Sequence, residues 1–117
     1  MAEWALEADE VVGLSLDELA LRVLIDYRDS HEWNWRNWML LAKQNGYAQR
    51  PDAVQALAEA WSWILSHGLV VSDVSQDSAH AVVVSRQGEA FLARGASRLR
   101  AVERLDVELA PSLERSA

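Results

Sequence analysis

Residues 51–84 read PDAVQALAEAWSWILSHGLVVSDVSQDSAHAVVV. In the first half, Val54, Leu57, Ala58, Trp61, Ile64 and Leu65 recur at helical spacing, so a helix with one buried apolar stripe is expected from Pro51 onward. Asp52 with Gln55 three places on is a capping-box pattern for its start, and Gly68 is expected to close it. The texture then changes. Leu69–Val74 and His80–Val84 are rich in β-branched residues and flank the polar segment Ser75-Gln76-Asp77-Ser78-Ala79, which reads as a β-hairpin.

Working outward toward the N-terminus, Ser15-Leu16-Asp17-Glu18 is a second capping-box pattern. Leu16, Leu19, Ala20, Val23, Leu24 and Tyr27 follow on one face, predicting a helix over 16–29. Asn34 is expected to cap another helix running through Gln44, with Trp35, Trp38, Met39, Leu41 and Ala42 along it, and Asn45-Gly46 to end it. Residues 1–14, with Trp4, Leu6, Val11 and Val12, carry no pattern that fixes them and are read as an extension.

Toward the C-terminus, Ser85-Arg86-Gln87-Gly88-Glu89 leads into a short helix over 90–94 that Gly95 interrupts. Residues 96–110 form a last amphipathic element, helical over about 97–109, with Leu99, Val102, Leu105 and Leu109 on one side. Pro111 opens a tail, 111–117. Three helices followed by a hairpin predict an α+β, mainly helical domain over 15–95 with a winged helix-turn-helix arrangement. The alternative is a plain helical bundle with 69–84 as a loop, which the valine density there disfavours.

Composition bounds the function classes. The 117 residues are 50% hydrophobic and 25% charged, an ordinary globular mixture for one domain. Without cysteine, disulfides, thiolate metal sites and cysteine nucleophiles are excluded together. No apolar run approaches the length of a membrane span, and the acidic N-terminus is unlike a secretory leader; a cytoplasmic location is the expectation. His31 with Asp26, Asp29 and Glu32 matches no zinc or calcium spacing. No serine sits in a nucleophile elbow, and each glycine reads as a turn or terminus instead of a phosphate loop. Neither an enzyme nor a cofactor is expected.

The segment from Asp52 to Leu92 resembles the second half of MarR-like winged helices. The resemblance rests on the step His67-Gly68-Leu69-Val70 after the third helix and on Ser85-Arg86-Gln87-Gly88 before a helix with Phe91 and Leu92. It implies that the Pro51 helix is a recognition helix, the hairpin a wing, and the terminal helix a dimer contact through Leu99, Val102, Leu105 and Leu109. Residues 52–109 also resemble the winged-helix N-terminal portion of larger phage-defence-associated bacterial proteins. Two departures stand out: the hairpin tip, Gln76-Asp77-Ser78-Ala79, lacks a cation, and the helix offers Gln55, Glu59, Ser62 and Ser66.

Charge distribution sharpens that departure. The net charge is −7, and residues 51–85 hold Asp52, Glu59, Asp73 and Asp77 with no Lys or Arg. Duplex binding draws much of its free energy from cations that neutralise phosphate, and this stretch supplies none. A non-enzymatic regulator or adaptor acting through protein contacts is therefore expected. Its candidate residues are Trp33, Trp35 and Trp63, because the six tryptophans cannot all point inward, together with Glu59. A DNA-binding regulator is the alternative, using Gln55, Arg86, Arg94, Arg98, Arg100 and Arg104; a small acidic inhibitor is a third reading.

Overall fold

Proline lacks an N–H and holds φ near the helical value, so Pro51 suits a first helical turn. In the computed structural model, which describes residues 6–95, it opens the longest named helix, α4 (Pro51–Ser66). Before it come α1 (Ala8–Gly13), α2 (Leu16–Asp29) and α3 (Trp35–Ala42); after it, β1 (Val70–Ser72) and β2 (Val82–Val84). Residues 86–95 are also helical and are called α5. The fold is mainly helical with one two-stranded antiparallel sheet, the α+β class that the sequence predicts. The paired strands remove the helical-bundle alternative. None of the described helices is long and apolar enough to cross a membrane.

In the hairpin, Val70 lies opposite Val84, Val71 opposite Val83 and Ser72 opposite Val82. Because side chains alternate across a strand, Val70 and Val82 face the core while Val71 and Val83 form an exposed pair on the outer side. The strands are shorter than the β-branched runs that predict them. The Asp73 carboxylate accepts hydrogen bonds from the Ser75 N–H and hydroxyl and turns the chain away at that point. A bridge that the sequence gives no sign of joins Asn34 to Ala81. Around it the Trp35 N–H donates to the His80 carbonyl and the Val82 N–H to the Trp33 carbonyl, each at 3.1 Å. The chain entering β2 is thus bonded on both edges, to β1 and to residues 33–35.

The core is organised by α4, which packs against α1, α2 and α3. Trp61 is 1% exposed and meets three aromatic rings. Tyr27 approaches edge-on with centroids 5.0 Å apart, Trp38 edge-on at 5.8 Å, and Trp35 stacks at 5.7 Å. The Tyr27 hydroxyl then donates to the Val82 carbonyl at 2.7 Å, tying the end of α2 to the hairpin. Burial pushes that phenol up to about 12, against the opposing effect of its hydrogen bond to Val82.

Several local expectations change. Leu6 and Val11 are buried in the common core, so residues 6–14 of the segment read as an extension pack with the domain. Neither capping box forms: Ser15 Oγ bonds Asp17 instead, and Pro51 at the first helical position leaves Arg50 at the cap of α4, with Asp52 turned back to it. Leu16, Leu41, Ala58 and Leu65, assigned to apolar stripes, are exposed, because each stripe is covered only where a neighbouring element reaches it. The helix expected over 90–94 begins earlier, at residue 86, since the Ser85 hydroxyl accepts from the Gly88 N–H at 2.9 Å and donates to the Gly68 carbonyl at 2.6 Å. Gly95 is itself helical and lies against Leu21. The element expected over 96–110, with Arg98, Arg100, Arg104, Leu99, Val102, Leu105 and Leu109, lies outside the described residues, as do Trp4 and the 111–117 tail.

Two substitutions test this packing. Trp61→Ala is expected to lower the unfolding free energy by about 3–5 kcal/mol, the usual loss for a buried large aromatic, measured by urea denaturation of the full chain. At Gly88 an added Cβ would fall 2.0 Å from the Leu69 carbonyl oxygen, a backbone atom that has no rotamer to yield. Gly88→Ala is expected to cost about 1–3 kcal/mol in the same assay, and a neutral result would mean that helix and strand are further apart.

Candidate functional site

The outer surface formed by α3, the turn after it and α4 is the best-defined candidate. Asn34 is extended, pairs with Ala81 of the hairpin, and then starts the helix. Its Oδ1 accepts from the Arg36 and Asn37 amides at 2.9 and 3.3 Å, while its Nδ2 donates to Ser78 of the hairpin at 3.3 Å. Trp38 and Ala42 face inward, and the Trp38 indole N–H donates to Asp26 of α2 at 2.8 Å. With that face fixed, Arg36, Asn37, Leu40, Leu41, Lys43 and Gln44 point outward and are exposed.

At the end of α3, Lys43 keeps helical backbone angles, and the chain then leaves the helix at Asn45 and Gly46, the latter at φ 103°. Asn45 Nδ2 donates to the Leu41 carbonyl at 2.6 Å, satisfying one of the carbonyls left open at the helix end. Tyr47 is buried, its hydroxyl donating to the Leu6 carbonyl at 2.5 Å. Between this turn and α4 runs a groove of about 430 Å³ lined by Lys43, Tyr47, Ala48, Pro51, Val54, Gln55 and Ala58. Its floor is mostly apolar, with one charged residue on its rim.

Further along α4 the exposed side carries Gln55, Glu59, Ser62 and Ser66, with Gln55 Nε2 donating to Glu59 at 3.2 Å. The cation at its head, Arg50, is held by Asp52 at 3.1 Å and by Asp9 of α1 at 2.6 Å. Hydrogen bonds to Asp52 and Asp9 hold the Arg50 guanidinium above its ordinary value, and the same pairing holds Asp52 below the usual carboxylate range. Hydrogen bonds from the Ser75 hydroxyl and amide likewise keep Asp73 low and ionised. The α4–hairpin face is therefore neutral to acidic.

The aromatic candidates are divided. Trp33 is 43% exposed. Trp35 is half-buried, stacked on Trp61 and edge-on to His80 at 5.5 Å. Trp63 is also half-buried, stacked on His67 at 3.9 Å and tilted against Phe91 at 5.6 Å. Glu59 and Gln55 stand together on α4, whereas Arg86 and Arg94 are exposed on α5. The sequence reading missed Arg36, Leu40 and Lys43, although their four-then-three spacing marks one helical face. Among the described residues no group of three His, Asp or Glu side chains is placed to hold a metal ion. Comparison with protein-family models, curated proteins and solved structures finds no match.

Asp26, which anchors α3 through Trp38, has a titration of its own. Burial raises its carboxyl above 3.8, the Trp38 bond opposes this, and Asp29 adds to it. The folded chain therefore holds this proton more tightly than the unfolded chain, so the Asp26 contribution to stability falls as pH rises through the raised value. Asp26→Asn keeps an acceptor for the indole and removes the titration. The difference in Tm between Asp26→Asn and the parent is expected to move in favour of the variant as pH rises from about 3 to about 7, followed by circular dichroism. Movement toward the parent would contradict the assignment.

Proposed function

We propose that this chain is a non-enzymatic winged-helix module that regulates or adapts through contacts with another protein. The winged-helix reading is supported by the order of elements: α2, the short bonded segment 33–35, α3, α4, β1 and β2. In it α3 and α4 are the helix-turn-helix pair and the hairpin is the wing.

The observation that carries the functional reading is the absence of any lysine or arginine from the exposed side of α4 and from the hairpin, where Gln55, Glu59, Ser62, Ser66, Asp73 and Asp77 stand instead. Arg50, beside that surface, is already occupied by two carboxylates. A duplex seated there would bring phosphates against carboxylates and release few counterions. Exposed apolar side chains are present as well, with Val71 and Val83 paired and Val74 96% exposed, and such patches suit protein contacts.

In a low-salt gel shift with random-sequence duplex, the full chain is expected to give no complex below about 10 µM. A salt-sensitive complex at submicromolar concentration would overturn this function in favour of a DNA-binding regulator.

A further inference from the structure

We propose that the outer face of α3, with the groove it shares with α4, docks an acidic, apolar peptide segment of a partner protein. The inference rests on the protein-contact reading above and names its surface and its partner's chemistry.

The argument begins with the cations. In a chain of net charge −7, carboxylates are in surplus, and three of the seven described Lys and Arg side chains find one. Arg22 pairs with Glu10, Arg28 with Asp29 and Glu89, and Arg50 with Asp9 and Asp52. Arg36, Lys43, Arg86 and Arg94 have no ion-pair partner among the described residues, and of these Arg36 and Lys43 flank an exposed leucine. Arg36 lies on α3 and Lys43 is the cap residue just past its end, still at helical backbone angles; they stand four residues before and three after Leu40, on one helical stripe. Leu40 is 54% exposed. Two cations thus bracket an uncovered leucine, with Leu41 beside it.

Lys43 also forms part of the groove, whose other lining residues are apolar apart from the Tyr47 hydroxyl and the Gln55 amide. Among the described residues no carboxylate lines it; Glu59 is one turn further along α4, bonded to Gln55. A matching ligand puts an apolar side chain on the groove floor, another on Leu40, and carboxylates toward Arg36 and Lys43. Those two positions are about 10 Å apart along the helix axis, the separation of carboxylates two turns apart on a helical segment. The apolar surface between the cations favours a peptide over phosphate, because a nucleic-acid backbone gains nothing by covering leucine.

The test is a titration of the isotope-labelled full chain, followed by NMR, with three synthetic peptides of roughly 14 residues, about 20 Å as a helix. One carries Leu and Trp on one face with flanking Glu; the second has Lys in place of Glu; the third has Ala in place of Leu and Trp. The acidic apolar peptide is expected to bind with Kd of about 10–500 µM, shifting amides of 36–44 and 47–58. The Lys and Ala peptides are expected to bind about tenfold more weakly or worse. The exposed double variant Arg36→Glu/Lys43→Glu, checked for an unchanged melt, should reverse the charge preference.

Equal binding of both charges, shifts confined to other surfaces, or no shift at about 2 mM peptide would overturn the proposal. Short duplex DNA forms a separate arm. Duplex that shifts Arg36 and Lys43 more strongly than the acidic peptide overturns the peptide assignment. Duplex seated on 59–66 and the hairpin, with the peptide preference intact, refutes the function proposed above while supporting this groove.

Discussion

Everything described here hangs on Trp61 and the three aromatic rings around it. Large aromatic side chains bury much surface and prefer edge-on or offset stacking, so a ring meeting Tyr27, Trp35 and Trp38 at once has few orientations open to it. Those partners come from α2, the segment beside the hairpin, and α3. One side chain of α4 therefore sets how three other parts of the chain lie on that helix. The Tyr27 bond to Val82 and the Asn34–Ala81 bridge extend the same constraint to the hairpin. With Trp38 turned in, Arg36, Leu40 and Lys43 must turn out.

The charge pattern is a second consequence of that arrangement. α1 packs on α4, and Asp9 reaches Arg50. The cation at the head of α4 is thereby paired with an element that the sequence leaves unplaced. Arg36 and Lys43, by contrast, have no ion-pair partner among the described residues. The same fold thus pairs the cation at the head of α4 with carboxylates and leaves Arg36, Leu40 and Lys43 exposed beside it.

Much of this is legible in the residues and some is not. The apolar period of α4, the stop at Gly68 and the valine runs specify a helix followed by a hairpin, because these are local patterns with local causes. The Asn34 cap forms as its position suggests, whereas the capping box at Asp52 does not, because Pro51 occupies the first helical turn and moves the cap to Arg50, whose side chain cannot play that part. The Asn34–Ala81 bridge is a single non-local pair without periodicity, invisible to any window along the chain. Leu41 and Leu65 are apolar in the right register for burial, but no described element covers them. For the candidate site, Gln55 and Glu59 could be read from α4 alone. Arg36 and Lys43 acquire meaning only when the partners of the other cations are known, and partners are a property of the folded chain.

The most direct measurement is a solution NOE spectrum of the full chain with assigned tryptophan rings. The account predicts cross-peaks from the Trp61 ring to the rings of Tyr27, Trp35 and Trp38 in one sample. A Trp61 ring that shows none to Trp35 or Trp38 would mean that α3 is held differently, and the outward face described for it would not exist.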